Sequence, residues 1–316
     1  MKSADVRAIA VIGLGKMGCD WIVNLLEGGY TVIGFDASQD QRDSAAERVE
    51  TGLRWVQKKR HPDQSSFVSD KKQRFSVVPT EDAFVRQAAQ QAQIFLEVVF
   101  EDLELKCQML RRIAPQLPSH MLLWTNTSSL SIHTMALASG NPKNFIGTHG
   151  MNPVYQMPAV EVIRHKDIAQ TTIDTTLEIL TSIGKNAFVA TDVAGFWVNK
   201  QLIPFILEAV RALERGEISV EGGDIGLQGS LGHPQGVFKL ADFIGNDTLY
   251  RVAVAMYLAT QDPRCYPPAL LARMFKNKEW GVKSAKGFYL WDGFKATKPR
   301  DFSDQAFTKA DTILEV

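Results

Sequence analysis

Val11-Ile12-Gly13-Leu14-Gly15-Lys16-Met17-Gly18 decides the fold of the first part of this chain. A short apolar run at residues 9–12 stops at a glycine triplet, and a helical pattern at residues 17–27 follows it. In such a Gly-x-Gly-x-x-Gly loop each glycine has a task. Gly13 permits the tight turn, Gly15 lets the backbone approach a pyrophosphate, and Gly18 lets helix and strand pack closely. Phosphates then face the positive end of a helix. A lone triplet is weak, but this one has its strand, its helix and a carboxylate. Asp36 lies 21 residues past Gly15, at the end of the next apolar run. There it accepts both ribose hydroxyls and repels a 2′-phosphate, so NAD is expected rather than NADP. Met17, inside the loop, joins the glycines and Asp36 as a candidate cofactor contact.

Outward from the loop the pattern repeats. Residues 9–12, 31–35, 93–98, 121–125 and 145–148 are short, apolar and rich in branched side chains, and helical patterns at 17–27, 38–56 and 103–114 intervene. Continuous apolarity suits strands covered on both faces, and the alternation predicts a Rossmann-type doubly wound α/β domain. Two more strands, 159–163 and 187–190, flank a helix marked by Ile173, Leu177, Leu180 and Ile183 and stopped at Gly184. The character changes near Asp192. From Phe196 to Gly216 apolar positions recur at helical spacing, and further helical segments follow at 237–243, 249–258 and 268–275. No convincing strand returns before Gly287-Phe288-Tyr289-Leu290. The expectation is an NAD-binding domain at residues 1–191 and an all-helical substrate and dimerisation domain at 192–316, with the boundary at Asp192–Gly195.

Bulk properties narrow the function classes. The chain has 316 residues, 45% hydrophobic, and its 35 basic and 35 acidic residues cancel. That length suits two domains, and the neutral balance argues against nucleic acid or an anionic membrane as partner. Cys19, Cys107 and Cys265 are odd in number and scattered, which favours a reduced, cytoplasmic setting. No apolar run approaches the length of a membrane span, the N-terminal residues run straight into a strand without a targeting pattern, and no metal is expected.

The chemistry is carried by Thr148-His149-Gly150-Met151-Asn152-Pro153 and by Glu161 in the following apolar run. Removing an alcohol proton while a hydride leaves needs a base with a pKa near working pH, and histidine is the usual choice. A carboxylate orients the imidazole and stabilises its charged form. Val160 and Val162 make Glu161 improbable as a solvated charge, so the two residues are candidates for an acid–base pair. The other histidines read differently: His165 as a surface loop residue, His61 as part of a charged turn, His120 and His133 without an obvious partner. Asn126-Thr127-Ser128-Ser129 ends an apolar strand, where open α/β sheets bind ligands, although Ser129 or Ser131 serves equally well as a helix cap. Asn199 lies in the first turn of the long helix, where its amide is either a donor to a substrate oxygen or ordinary helix-start chemistry.

At these residues the chain resembles the L-3-hydroxyacyl-CoA dehydrogenase family, which includes 3-hydroxybutyryl-CoA dehydrogenases. The resemblance runs in order through the glycine loop, Glu101…Lys106, Asn126-Thr127-Ser128-Ser129-Leu130, His149…Asn152-Pro153, Glu161, Gly195-Phe196-Trp197-Val198-Asn199, Gly232-His233-Pro234-Gln235-Gly236 with Asp242, and Gly287-Phe288-Tyr289. It implies an NAD-dependent interconversion of a 3-hydroxyacyl thioester and its 3-keto form, in a homodimer joined through the helical domain. It implies His149 as base, Glu161 as its partner, Ser128 and Asn199 holding the reacting oxygens, and Glu101, Lys106, Asn126 and Asn152 toward the cofactor. Lys283 would reach the cofactor from the second domain. Departures concern the substrate: Gly150 and Met151 stand where the family carries two phenylalanines, Lys200 replaces an arginine, and Val98 a small residue.

Residues 54–74 form a basic excursion containing Lys58, Lys59 and Arg60. It reads either as a grip for CoA phosphates or for an acyl carrier protein, or as a solvated helical face. Two further readings remain: the same chemistry on a free hydroxy acid such as carnitine or gulonate, and an NAD-binding, crystallin-like structural protein without turnover.

Overall fold

Ala8–Ile12 is buried at all of its residues and pairs in parallel with a strand on each side, as its unbroken apolar sequence requires. The computed structural model describes residues 3–303, which divide into two units between Phe196 and Trp197.

The first unit runs β1 (Ala8–Ile12), α1 (Lys16–Glu27), β2 (Thr31–Phe35), α2 (Gln39–Arg60), α3 (Phe67–Lys72), β3 (Phe75–Val77), α4 (Glu81–Gln91), β4 (Ile94–Glu97), α5 (Leu103–Ile113), β5 (Leu122–Thr125), α6 (Ile132–Ala138), β6 (Phe145–Gly150), β7 (Ala159–Arg164), α7 (Gln170–Ser182) and β8 (Asn186–Thr191). The strands form one eight-stranded sheet in the order β3-β2-β1-β4-β5-β6-β7-β8. Two apolar clusters cover it, one centred on Trp21 and Trp124, the other on Phe84, Phe95 and Phe145. Every expected strand is present. The sheet is parallel from β3 to β6, but β7 runs antiparallel to β6. The reason is length: the β6–β7 connection is too short for the crossover that a parallel pair needs, whereas α7 supplies one between β7 and β8, which pair in parallel.

In this unit β3, α3 and α4 lie outside the expected segments. β3 is a three-residue edge strand without a fully buried residue, so it carries no apolar run to detect. α4 is capped by the side chain of Thr80 and buries Phe84, Val85 and Ala88.

The second unit contains α8 (Val198–Glu214), α9 (Val220–Leu231), α10 (Val237–Ile244), α11 (Asn246–Thr260) and α12 (Ala269–Lys276). It is not all helical: β9 (Tyr289–Asp292) and β10 (Lys295–Pro299) close it as an antiparallel hairpin. α9 escapes sequence reading because Gly222, Gly223, Gly226 and Gly229 weaken its helical signal. Ser219 caps it, and Gly223 lets Phe238 pack so closely that a Cβ there would lie 2.7 Å from the ring. The polar pillar of this unit is Asp242. Its buried carboxylate accepts from the backbone N–H groups of Phe288 and Tyr289, the indole of Trp291 and the amide of Asn246. That gives Asp242 and the Gly287-Phe288-Tyr289 stretch a structural role within the helical unit.

Candidate active site

The glycine loop has the geometry of an anion cradle. Gly13 sits at φ 98°, and a Cβ on it would lie 2.4 Å from the carbonyl oxygen of Val98. Gly18 approaches Gly13 so closely that a Cβ would fall 1.9 Å from its oxygen. A Cβ on Gly15 would meet nothing within 4 Å, and no side chain caps α1. The free N–H groups of the first turn of α1 therefore face open space, which suits a diphosphate. At the end of β2, Asp36 accepts from Leu14 N and Ser38 N, both at 2.8 Å. Arg42 stands close by, but its guanidinium donates to the carbonyl oxygens of Asp36 and Ala37 and to Gln39. A cleft of about 570 Å³ opens here, lined among others by Gly15, Met17, Asp36, Val98 and Phe100. Loop, carboxylate and cleft together fit a dinucleotide.

The next wall rests on a buried ion pair that sequence reading did not single out. Glu97, the last residue of β4, is fully buried and takes Lys106 Nζ at 2.6 Å, Val99 N at 2.7 Å and the Thr125 hydroxyl at 2.6 Å. Lys106, 1% exposed, also donates to Val99 O and lies 3.5 Å from Glu101 Oε2. The other oxygen of Glu101 accepts from Thr127 Oγ1, Ser128 N and Ser128 Oγ, tying the turn after β4 to the turn after β5. Lys106 is thus linked to that turn through Glu101. A glutamate closing an apolar strand nine residues before a lysine was the available signal.

His149 and Glu161 are register partners on the antiparallel β6–β7 pair. Both are buried, and His149 Nδ1 lies 2.7 Å from Glu161 Oε2. A carboxylate accepts only, so Nδ1 carries a hydrogen, and in the neutral imidazole Nε2 keeps its lone pair. Phe196 meets the imidazole edge-on, with ring centroids 5.7 Å apart. The connection between the two strands is clamped from outside. Asp20 Oδ2 accepts from Val154 N, Lys185 donates to the carbonyls of Val154 and Met157, and Arg60 donates to that of Tyr155. Burial draws the Lys185 ammonium down to about 8. Asn152 is exposed, and Asn126 Oδ1 accepts from Trp21 Nε1 and Gly150 N.

The basic excursion is mostly committed to the fold. Arg60 also pairs with Glu27 at 2.6 Å, Lys71 donates to Glu27 O, Lys72 pairs with Glu50, and Arg74 donates to Gly29 O. Arg60 is engaged because the end of α2 packs beside the β6–β7 connection. Lys58 and Lys59 are exposed in the last turn of α2.

Among the other histidines, His165 is not a surface residue. It is buried and donates from Nε2 to Phe145 O, while its Nδ1 accepts from Asp167 N and faces His133 Nδ1 at 3.4 Å. The backbone turn after β7 folds it inward to satisfy the first carbonyl of β6. His61 bonds Glu27 and stacks on Phe67. Ser131, not Ser129, caps α6. In the second unit Asn199 is in the first turn of α8, and Lys283 is paired with Asp247. Among the described residues no helix is long and apolar enough to cross a membrane.

Comparison with known proteins places this geometry. The family model for the 3-hydroxyacyl-CoA dehydrogenase NAD binding domain matches residues 8–193, and that for the C-terminal domain of the same enzymes matches residues 195–291. Mitochondrial hydroxyacyl-coenzyme A dehydrogenase of Sus scrofa is 29% identical over 91% of this chain and 92% of its own length. The structure of (S)-3-hydroxybutyryl-CoA dehydrogenase PaaH1 from Ralstonia eutropha is 28% identical and superposes with a TM-score of 0.85, covering 91% of this chain and 99% of that one. The 3-hydroxybutyryl-CoA dehydrogenase of Escherichia coli K12, also 28% identical at a TM-score of 0.85, covers 93% of this chain and 61% of its own. A dinucleotide-binding sheet with a histidine–carboxylate pair, followed by a helical unit, matched over both parts, means that this chain belongs to the family of NAD-dependent 3-hydroxyacyl-CoA dehydrogenases.

Proposed function

We propose that this chain interconverts an L-3-hydroxyacyl-CoA and the 3-ketoacyl-CoA, with His149 and Glu161 as its acid–base pair. The observation that carries the reading is the 2.7 Å contact between two buried side chains on register-paired strands of the dinucleotide-binding sheet. NAD, when bound, accepts or supplies the hydride. His149 Nε2 takes the hydroxyl proton in oxidation and returns it in reduction. Glu161 keeps the hydrogen on Nδ1 and stabilises the imidazolium. Ser128, fixed through Glu101, and Asn199, carried by the second unit, hold the reacting oxygens. Gly13, Gly15, Met17, Gly18 and Asp36 bind the cofactor's phosphates and ribose; Glu101, Asn126 and Asn152, with Lys106 behind Glu101, serve its nicotinamide end, and Lys283 serves it from the second unit.

Reduction of acetoacetyl-CoA by NADH tests the reading. NADH oxidation that depends on acetoacetyl-CoA is expected; none at any substrate concentration would refute it. NADPH is expected to serve poorly, because its 2′-phosphate meets Asp36. Asp36→Ala should weaken NADH use and narrow the gap between the two cofactors. Equal use of both by the unaltered enzyme would remove Asp36 from cofactor choice.

The exposed lysines are proposed to grip the phosphates of CoA, an acyl carrier protein being the competing handle. With Arg60 left in place for its structural contacts, Lys58→Ala and Lys59→Ala together should raise KM for acetoacetyl-CoA about three- to tenfold, the scale of exposed charge contacts. KM for the pantetheine analogue, which lacks those phosphates, should not change. An unchanged KM for both would assign the lysines to solvent. A homodimer through the helical unit belongs to the same proposal. It is supported by large apolar side chains left exposed there, including Ile225, Leu231 and Leu258, and light scattering of the full chain reads the state directly.

A further inference from the structure

The space beside Gly150 is filled from another element. A Cβ on Gly150 would lie 3.0 Å from Cζ2 and 3.2 Å from Cε2 of Trp21, and 3.3 Å from Val154. Trp21 is fully buried in α1, so its ring has little freedom to step aside. The space beside the histidine strand is therefore filled by an indole from the helix that follows the glycine loop.

That indole ends in a donor. Trp21 Nε1 lies 2.7 Å from Asn126 Oδ1, and Gly150 N lies 3.0 Å from the same atom. An indole N–H and a backbone N–H only donate, so the atom between them is the carboxamide oxygen. Both of its acceptor positions are used. Asn126 is partly exposed, and its Nδ2 makes no hydrogen bond among the described residues. Asn126 follows β5, and the strand paired with β5 carries His149 immediately before Gly150. Asp20, beside Trp21, holds the other end of the segment through Val154 N.

We propose that Trp21 is a positioning residue for the reaction. It holds Asn126 with its oxygen inward, so that the carboxamide presents only N–H donors to an oxygen acceptor of the bound reactants beside His149. An untethered carboxamide is free to turn its oxygen outward and repel that acceptor. Gly150 and Trp21 form one device, because a side chain at 150 displaces the ring that fixes the amide. The effect on turnover rests on the acid–base reading of His149; the effect on the indole does not.

Both are measured on the full chain labelled with 15N-tryptophan. The Trp21 indole hydrogen should exchange slowly, and Asn126→Ala should speed its exchange. Asn126→Asp should keep it protected, since a carboxylate still accepts both N–H groups, yet lower acetoacetyl-CoA turnover at least tenfold because the donor edge has become an acceptor. Trp21→Phe keeps most of the packing and deletes the donor; it should lower kcat/KM roughly five- to tenfold, the scale of one lost hydrogen bond. An unchanged NADH affinity in that variant places the acceptor on the substrate, and a weakened one places it on the cofactor. Gly150→Ala should resemble Trp21→Phe and add little to it in the double variant. Kinetics and NADH affinity of Trp21→Phe all within twofold of the unaltered enzyme, or a fully active Asn126→Asp, would overturn the proposal. If His149→Gln keeps turnover while the indole behaves as described, the chemistry has failed and the positioning contact has not.

Discussion

Replacing His149 by glutamine lowers acetoacetyl-CoA turnover by roughly 10²–10⁴-fold, the usual worth of a general acid–base group. Glutamine has comparable reach but cannot exchange a proton. NADH affinity, read by fluorescence titration, should stay nearly unchanged, because the glycine loop that joins β1 to α1 and Asp36 after β2 are all apart from β6. Glu161→Gln should be almost as damaging, for a reason visible in the 2.7 Å contact. A carboxylate can only accept, which keeps the hydrogen on Nδ1. A carboxamide can turn and donate to Nδ1, which drives the hydrogen to Nε2 and removes the base, and it no longer stabilises the imidazolium. A near-normal rate in His149→Gln would remove His149 from the mechanism.

The second large effect is on stability. Lys106→Met strands the Glu97 carboxylate at a position that is fully buried, with only Val99 N and the Thr125 hydroxyl left to it. Breaking a buried pair by removing one partner costs about 3–5 kcal/mol. For a domain of this size each kcal/mol lowers Tm by about 2–4 °C, so calorimetry should show a fall on the order of 10 °C. The double replacement Glu97→Gln with Lys106→Met should recover much of the loss, since neither residue then leaves a buried charge. If Lys106 acted on the cofactor alone, NADH affinity would fall while Tm held. An unchanged Tm in the single variant would therefore reject the structural account.

Three local signals made the sheet readable: unbroken apolar strands, the glycine loop, and the carboxylate at the end of β2. Each depends on residues close together in sequence. His149 and Glu161 were legible for a related reason: a polar residue inside an apolar run, twice, twelve positions apart. Among the elements that escaped, β3 and α9 lack such signals. The first is three residues long at a sheet edge, and the second carries four glycines, of which Gly223 is explained by its close contact with Phe238. His165 was misplaced because its partner, the carbonyl of Phe145, lies twenty residues earlier and leaves no mark on neighbouring positions.

By itself the sequence determined the apolar strands of the first unit and their order, the helical nature of the second, the carboxylate expected of an NAD site, and which histidine and glutamate to propose as an acid–base pair. Hydrophobic period, turn glycines and misplaced charges all act over a few residues, and they survive in one dimension. Only the tertiary structure decided that β7 runs against β6, that Lys106 answers Glu97 inside the core, that Arg60 is spent on Glu27 and Tyr155, and that Trp21 fills the room left by Gly150. These are contacts between elements far apart in the chain. Burial makes each of them strong, because an unpaired charge or an unfilled volume is costly there, and no local pattern records which distant residue supplies the partner.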